Sequence, residues 1–111
     1  MSVDHPELID MINQSRTTNA ISLVISDHLP WDDVGTHAAV LQKKIQRYLL
    51  FIKNGEILKL HPHSASDKKI IEVYFLVDPP PGSATKFLQD MKRFVNLAGV
   101  GFRYQLFDGT I

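Results

Sequence analysis

Cysteine is absent from this 111-residue chain. That removes thiolate catalysis, iron–sulfur ligation, sulfur-built zinc sites and disulfide stapling from the chemistry open to it. An excess of either charge is lacking too. Twelve Lys and Arg balance twelve Asp and Glu, so nothing draws the chain indiscriminately to nucleic acid or to an anionic membrane. Long apolar runs are missing: a stretch such as Val73 to Val77 is strand-sized, far below the roughly 18 residues that span a bilayer. The first ten residues carry Asp4, Glu7 and Asp10 and show neither the basic nor the apolar region of a signal peptide. We therefore expect a soluble, cytoplasmic protein with no nucleic-acid partner and no membrane. Its 44 % hydrophobic content suits one domain over residues 1–111 with a core that needs no staple.

What charge there is lies unevenly. Residues 1–40 hold six acids and one base, Arg16, whereas residues 41–111 hold six acids and eleven bases. Such a dipole can steer a partner or help two copies meet, although solvated outer faces are the simpler explanation.

Periodicity divides the chain into strands and helices. Leu8 to Asn13 is a short strand candidate, followed by a polar turn over Gln14 to Asn19. Ala20 to Ser26 alternates Ile21, Leu23 and Ile25 against Ser22, Val24 and Ser26, the period of a half-buried strand. From Asp33 to Asn54, apolar residues recur at three- and four-residue steps through Val34, Ala38, Leu41, Ile45, Tyr48, Leu49 and Ile52, which predicts a helix. Asp32 and Asp33 suit its positive end, Thr36 is an alternative cap, and Gly55 suits the left-handed position beyond it. Glu56 to Leu60 reads as a short strand and Lys69 to Val77 as a long one. Pro79-Pro80-Pro81 stops the latter, and Ser83 is placed to cap a second helix carrying Ala84, Phe87, Leu88, Met91, Phe94, Val95 and Ala98. Gly99 ends that helix and Val100 to Phe107 forms a last strand.

From Ala20 onward the order is β-α-β-β-α-β. The expected fold is therefore α+β: a two-layer sandwich, a largely antiparallel sheet with two helices on one face, ferredoxin-like with an extra N-terminal strand. One tension is built in. A hairpin between Leu8–Asn13 and Ala20–Ser26 would occupy the place of the last strand, so strand order stays open.

Ser26-Asp27-His28-Leu29 with Trp31-Asp32-Asp33, then His37, Leu41-Gln42-Lys43-Lys44-Ile45, Tyr48-Leu49, Phe51-Ile52 and Gly55-Glu56-Ile57, resembles a small bacterial family catalogued as a domain of unknown function. The likeness is densest over Ile21 to Leu60 and extends along most of the chain; Pro30 and Gly35 depart from it. The resemblance implies a bacterial, cytoplasmic, single-domain protein and carries no activity with it.

Chemistry-bearing residues gather at the first strand-to-helix turn: Asp27, His28, Trp31, Asp32, Asp33 and His37. Two imidazoles and three carboxylates can hold a divalent metal or work as general acid and base, with Asp27, His28, Asp32 and His37 as the ligand set. The structural alternative assigns the aspartates to the helix dipole, Trp31 to packing, and one histidine to a backbone carbonyl. His61-Pro62-His63 is a second metal candidate, set in a loop-like context. No Gly-x-Ser-x-Gly elbow or phosphate-cradling glycine loop is present. An RNA-binding sheet would need aromatics on its outward face, where Tyr74 and either Tyr104 or Phe107 could stand beside Arg103. The remaining reading is a protein interface. Val24, Tyr74, Leu76 and Arg103 on the helix-free face have the mixed aromatic, aliphatic and charged composition that interfaces favour, and the Lys43-Lys44-Arg47 side of the first helix would suit an acidic partner. We accordingly expect a non-enzymatic binder without cofactor, acting as a homodimer or as an inhibitor or immunity-type binder of a protein partner, with a metal-binding or metal-assisted hydrolytic module over residues 27–37 as the alternative.

Overall fold

The computed structural model describes residues 11–15, 20–60 and 68–106. Within them the chain runs β1 (Met11–Ser15), β2 (Ala20–Asp27), α1 (Val34–Lys53), α2 (Glu56–Leu60), β3 (Lys68–Phe75), α3 (Ser83–Leu97) and β4 (Gly101–Leu106). The four strands make one sheet in the order β1-β2-β3-β4. β1 lies antiparallel to β2, whereas β2, β3 and β4 run parallel to one another.

This corrects the expected ferredoxin-like, largely antiparallel sheet, and the correction turns on five residues. Glu56–Leu60, read as a strand, is the short helix α2. Asn54 directs it: its side-chain oxygen accepts from the Glu56 N–H at 3.0 Å, its amide donates to the Glu56 carboxylate at 2.7 Å, and Gly55 follows at φ +84°. The Asn-Gly pair therefore starts a helical turn instead of a hairpin. With no strand there, β2 reaches β3 across the helices α1 and α2, and a strand joined to its neighbour by a helical crossover runs parallel to it. The same crossover recurs through α3 to β4. Both crossovers step in one direction across the sheet, so the right-handed rule puts α1 and α3 on one face.

Alternation decides which side chains meet those helices. Ile21, Leu23 and Ile25 of β2, Ile71, Val73 and Phe75 of β3 and Phe102 of β4 are buried with Leu41, Ile45, Tyr48 and Leu49 of α1 and Ala84, Leu88, Met91 and Val95 of α3. Tyr48 fits among them because its hydroxyl donates to the Val24 carbonyl at 2.6 Å, satisfying a group whose burial would otherwise be costly.

The helix starts differ. Asp33 caps α1, its carboxylate accepting from the Thr36 N–H at 3.1 Å and the Thr36 hydroxyl at 2.9 Å. For α3 the expected Ser83 cap is not used. Ser83 is the first helical residue and Gly82 takes the cap position at φ 96°, ψ −121°, without a side-chain bond. Only glycine holds that backbone geometry comfortably, and it lets the chain turn straight out of the proline run. The hairpin partner expected at Leu8–Asn13 is met by β1, with Ile12 opposite Leu23; Leu8 to Asp10 and His61-Pro62-His63 lie outside the described residues.

Candidate functional site

Asp27 is the last residue of β2 and shares the helix-facing side with Ile21, Leu23 and Ile25, so its carboxylate points into the junction between sheet and α1. His37 lies one turn into α1. The two meet there: His37 Nε2 stands 2.5 Å from Asp27 Oδ2, both side chains being buried. The other polar atoms of the pair are also accounted for. Asp27 Oδ1 accepts from the Leu29 N–H at 3.1 Å, and His37 Nδ1 lies 3.0 Å from the Pro30 carbonyl oxygen. A carbonyl can only accept, so Nδ1 carries a hydrogen, and Nε2 and Oδ2 are joined by a hydrogen bond. Burial pushes the Asp27 carboxyl above its ordinary range, against the lowering effects of the His37 contact and of the Leu29 N–H.

Trp31 closes the pair off. Its indole stacks on the imidazole with centroids 3.6 Å apart and planes 14° from parallel, and its Nε1–H donates to the Val77 carbonyl at 3.0 Å. Phe75 packs obliquely against the indole. The loop after β2, the start of α1 and the loop after β3 are thus tied at one point. A shallow depression of about 220 Å³ lies outside, between Leu29, Pro30, Thr36 and Val40.

The proposed ligand set is not assembled by this arrangement. Asp27 and His37 are brought together, but His28 and Asp32 are exposed. Both imidazole nitrogens of His37 are already engaged, so ligation or base catalysis there would have to break an existing bond. Among the described residues, no three His, Asp or Glu side chains converge to hold a metal ion.

The interface candidates separate as well. On the helix-free face, Tyr74 donates to Glu72 at 2.9 Å and Arg103 pairs with the same carboxylate at 3.0 Å. Burial, and then the Glu72 contact, push the Tyr74 phenol above its ordinary range. Val24, by contrast, is 4 % exposed and offers a partner nothing, whereas Leu76 is exposed just past the end of β3. Register places Tyr104 opposite Val73 on the helix side, so Tyr74 is the sole aromatic on the helix-free face of the described strands. On α1, Lys44 is fully buried with its ammonium 5.6 Å from the Tyr48 ring, and Arg47 bonds Glu56 at 3.1 Å. The basic helix face read from the sequence is therefore largely consumed internally.

What sequence reasoning missed is the outer side of β4. Among the described residues β4 pairs with β3 alone. A concavity of about 620 Å³ runs beside it, bounded by Leu88, Gln89 and Lys92 of α3 and by Glu72, Arg103 and Gln105. Tyr104 and Leu106, facing the helix side, remain 41 % and 52 % exposed.

Fold and site together define a small α+β domain with a three-stranded parallel core, an antiparallel edge strand and both long helices on one face. The chain belongs to the family of unknown function DUF6572, whose model matches residues 1–108. No curated protein and no solved structure matches the chain significantly. Among the described residues no helix is long and apolar enough to cross a membrane.

Proposed function

We propose that this protein is a non-enzymatic interaction module that binds a protein partner, or a second copy of itself, along the β4 side of its sheet. One observation carries the reading: among the described residues the outer edge of β4 is unpaired, and it is flanked by exposed Tyr104 and Leu106 and by the groove under Lys92 and Arg103. Unpaired strand edges with apolar side chains beside them are templates for association. Tyr74 and Arg103 belong to this surface, held in place by Glu72; Leu76 lies beyond it. The Asp27–His37 pair supports the reading by contrast, since its polar atoms are spent on one another and on backbone.

Native mass spectrometry of untagged protein purified gently from its own cells tests this. A metal-free homodimer, or a stoichiometric complex with a second polypeptide, is expected. It should dissociate on Tyr104→Arg with Leu106→Arg while the circular dichroism spectrum is retained. A monomer carrying one divalent ion, lost on His37→Ala, would overturn the reading in favour of a metal site at residues 27–37.

A further inference from the structure

We infer that the outer edge of β4 receives an extended segment of a partner protein in which acidic and apolar side chains alternate; this rests on the interaction reading above and names the chemistry of its partner. The edge itself presents main-chain donors and acceptors over Gly101–Leu106 that, among the described residues, no strand uses. A concavity of about 620 Å³ adjoins it, on the side where an added strand would lie at the usual spacing of about 4.8 Å. Its two sides differ in chemistry. Toward α3 stands Tyr104, with Leu106 beyond the groove at the end of the strand; toward the helix-free face stand Arg103 and Gln105. A strand laid there sends alternate side chains to opposite sides, so the matching sequence is apolar toward Tyr104 and acidic toward Arg103.

Charge selects the occupant. The one acid lining the groove, Glu72, is already bonded to Tyr74 and Arg103. Arg103 keeps 60 % of its side chain exposed despite that pair, and Lys92 on the rim forms no ion pair among the described residues. The groove is therefore electropositive where a partner's side chains arrive. A second copy meets this poorly: β4 contains Arg103 and no acid, so pairing two β4 edges gathers cations without a new anion. Like charges placed opposite one another across strands are unfavourable.

Amide exchange and a peptide titration followed by NMR decide the matter. In the free protein, alternate amides of Gly101–Leu106 are expected to exchange much faster than those of β3. A capped peptide of alternating Val and Glu should shift resonances of Gly101–Leu106 and of Lys92. Its affinity should fall about tenfold on Arg103→Glu, fall less on Lys92→Glu and weaken with salt. The same peptide with Lys for Glu should not bind. Equal binding of both peptides, shifts confined to β1 or α1, or a β4–β4 dimer filling the edge would overturn the partner assignment and leave the interaction reading standing. Protection of every β4 amide in a monomer would show the edge filled by the chain itself, and both readings would fall.

Discussion

At the end of β2, a buried acid and a buried imidazole are bonded to each other and spend every remaining polar atom on backbone; along β4, one edge meets no strand among the described residues and two large apolar side chains meet solvent. Both regions concentrate residue types that signal function, yet their energetics point in opposite directions. A buried polar group is stabilising only when fully partnered, and a completed network resists the substitutions and ligands that would reopen it. An unpaired strand edge has the opposite property, since its groups gain by meeting a partner. Completeness, more than residue type, separates a network that fixes the fold from an edge whose groups still have partners to gain.

Removing the imidazole should have the largest effect. His37→Ala strands the Asp27 carboxyl in the core, empties the space under Trp31 and uncaps the Pro30 carbonyl. Breaking a buried pair from one side costs about 3 to 5 kcal/mol, and urea denaturation should show a loss of that order. A loss below about 1 kcal/mol, the range of an exposed ion pair, would erase the distinction drawn between the two regions. Trp31→Phe is a milder probe. It keeps an aromatic face over His37 and loses the bond from Nε1 to the Val77 carbonyl, so a destabilisation of about 1 kcal/mol is expected.

Asp27→Asn sharpens the picture further. An asparagine amide can donate to Nε2 while its oxygen accepts from the Leu29 N–H, as a protonated Asp27 does, so at acidic pH the substitution should cost little, under about 1 kcal/mol. The pH dependence carries the sign. Because burial raises Asp27 above its ordinary 3.8, the folded chain holds a proton in the window above 3.8 that the unfolded chain has released. There wild-type stability from this group falls as pH rises, and the loss is complete above the raised folded value. Asp33 and Glu56, lowered by the Thr36 N–H and by the Asn54 amide respectively, act the other way: their contribution is present above their ordinary values of 3.8 and 4.5 and is lost as pH falls. They are common to both proteins and cancel. The stability of Asp27→Asn relative to wild type should therefore rise with pH through the window; a constant difference across pH 3 to 8 would contradict the raised carboxyl.

The sequence exposed these two regions to unequal degrees. The stripe of Leu41, Ile45, Tyr48 and Leu49 and that of Leu88, Met91 and Val95 located α1 and α3 nearly to the residue, because helical periodicity is a local property. The turn cluster was visible as a cluster, and the structural alternative, a histidine bonded to a backbone carbonyl with Trp31 packed beside it, describes His37 correctly. What was not legible followed from one short segment. Glu56–Leu60 carries no periodicity long enough to separate a turn of helix from a strand, and Asn54-Gly55 serves either. Misreading it reversed the direction of β3 and β4 relative to β2. Arg103 and Tyr74 nonetheless came out on one face, since alternation survives a reversal, but the neighbour of β4 did not: that depends on strand order, which no local pattern encodes. Val24 was misjudged for a related reason, because alternation gives the face a side chain points to and says nothing of what covers that face.

Arg103→Gln should show the smallest effect on stability and, for the comparison, the most instructive one. The Arg103–Glu72 pair is short at 3.0 Å, but the arginine is mostly exposed, and pairs of this kind contribute about 0 to 1 kcal/mol because solvent screens them and ordering the side chain costs entropy. Glu72 keeps the Tyr74 hydroxyl as a partner after the substitution, so no buried charge is abandoned. Denaturation should accordingly move by about 0.5 kcal/mol or less, while the affinity for an acidic strand should drop. A residue that matters little to the fold and much to association is what a working edge requires. A stability loss comparable to that of His37→Ala would instead place Arg103 among the groups that hold the sheet together, and β4 would have to be read as a fixture like the end of β2.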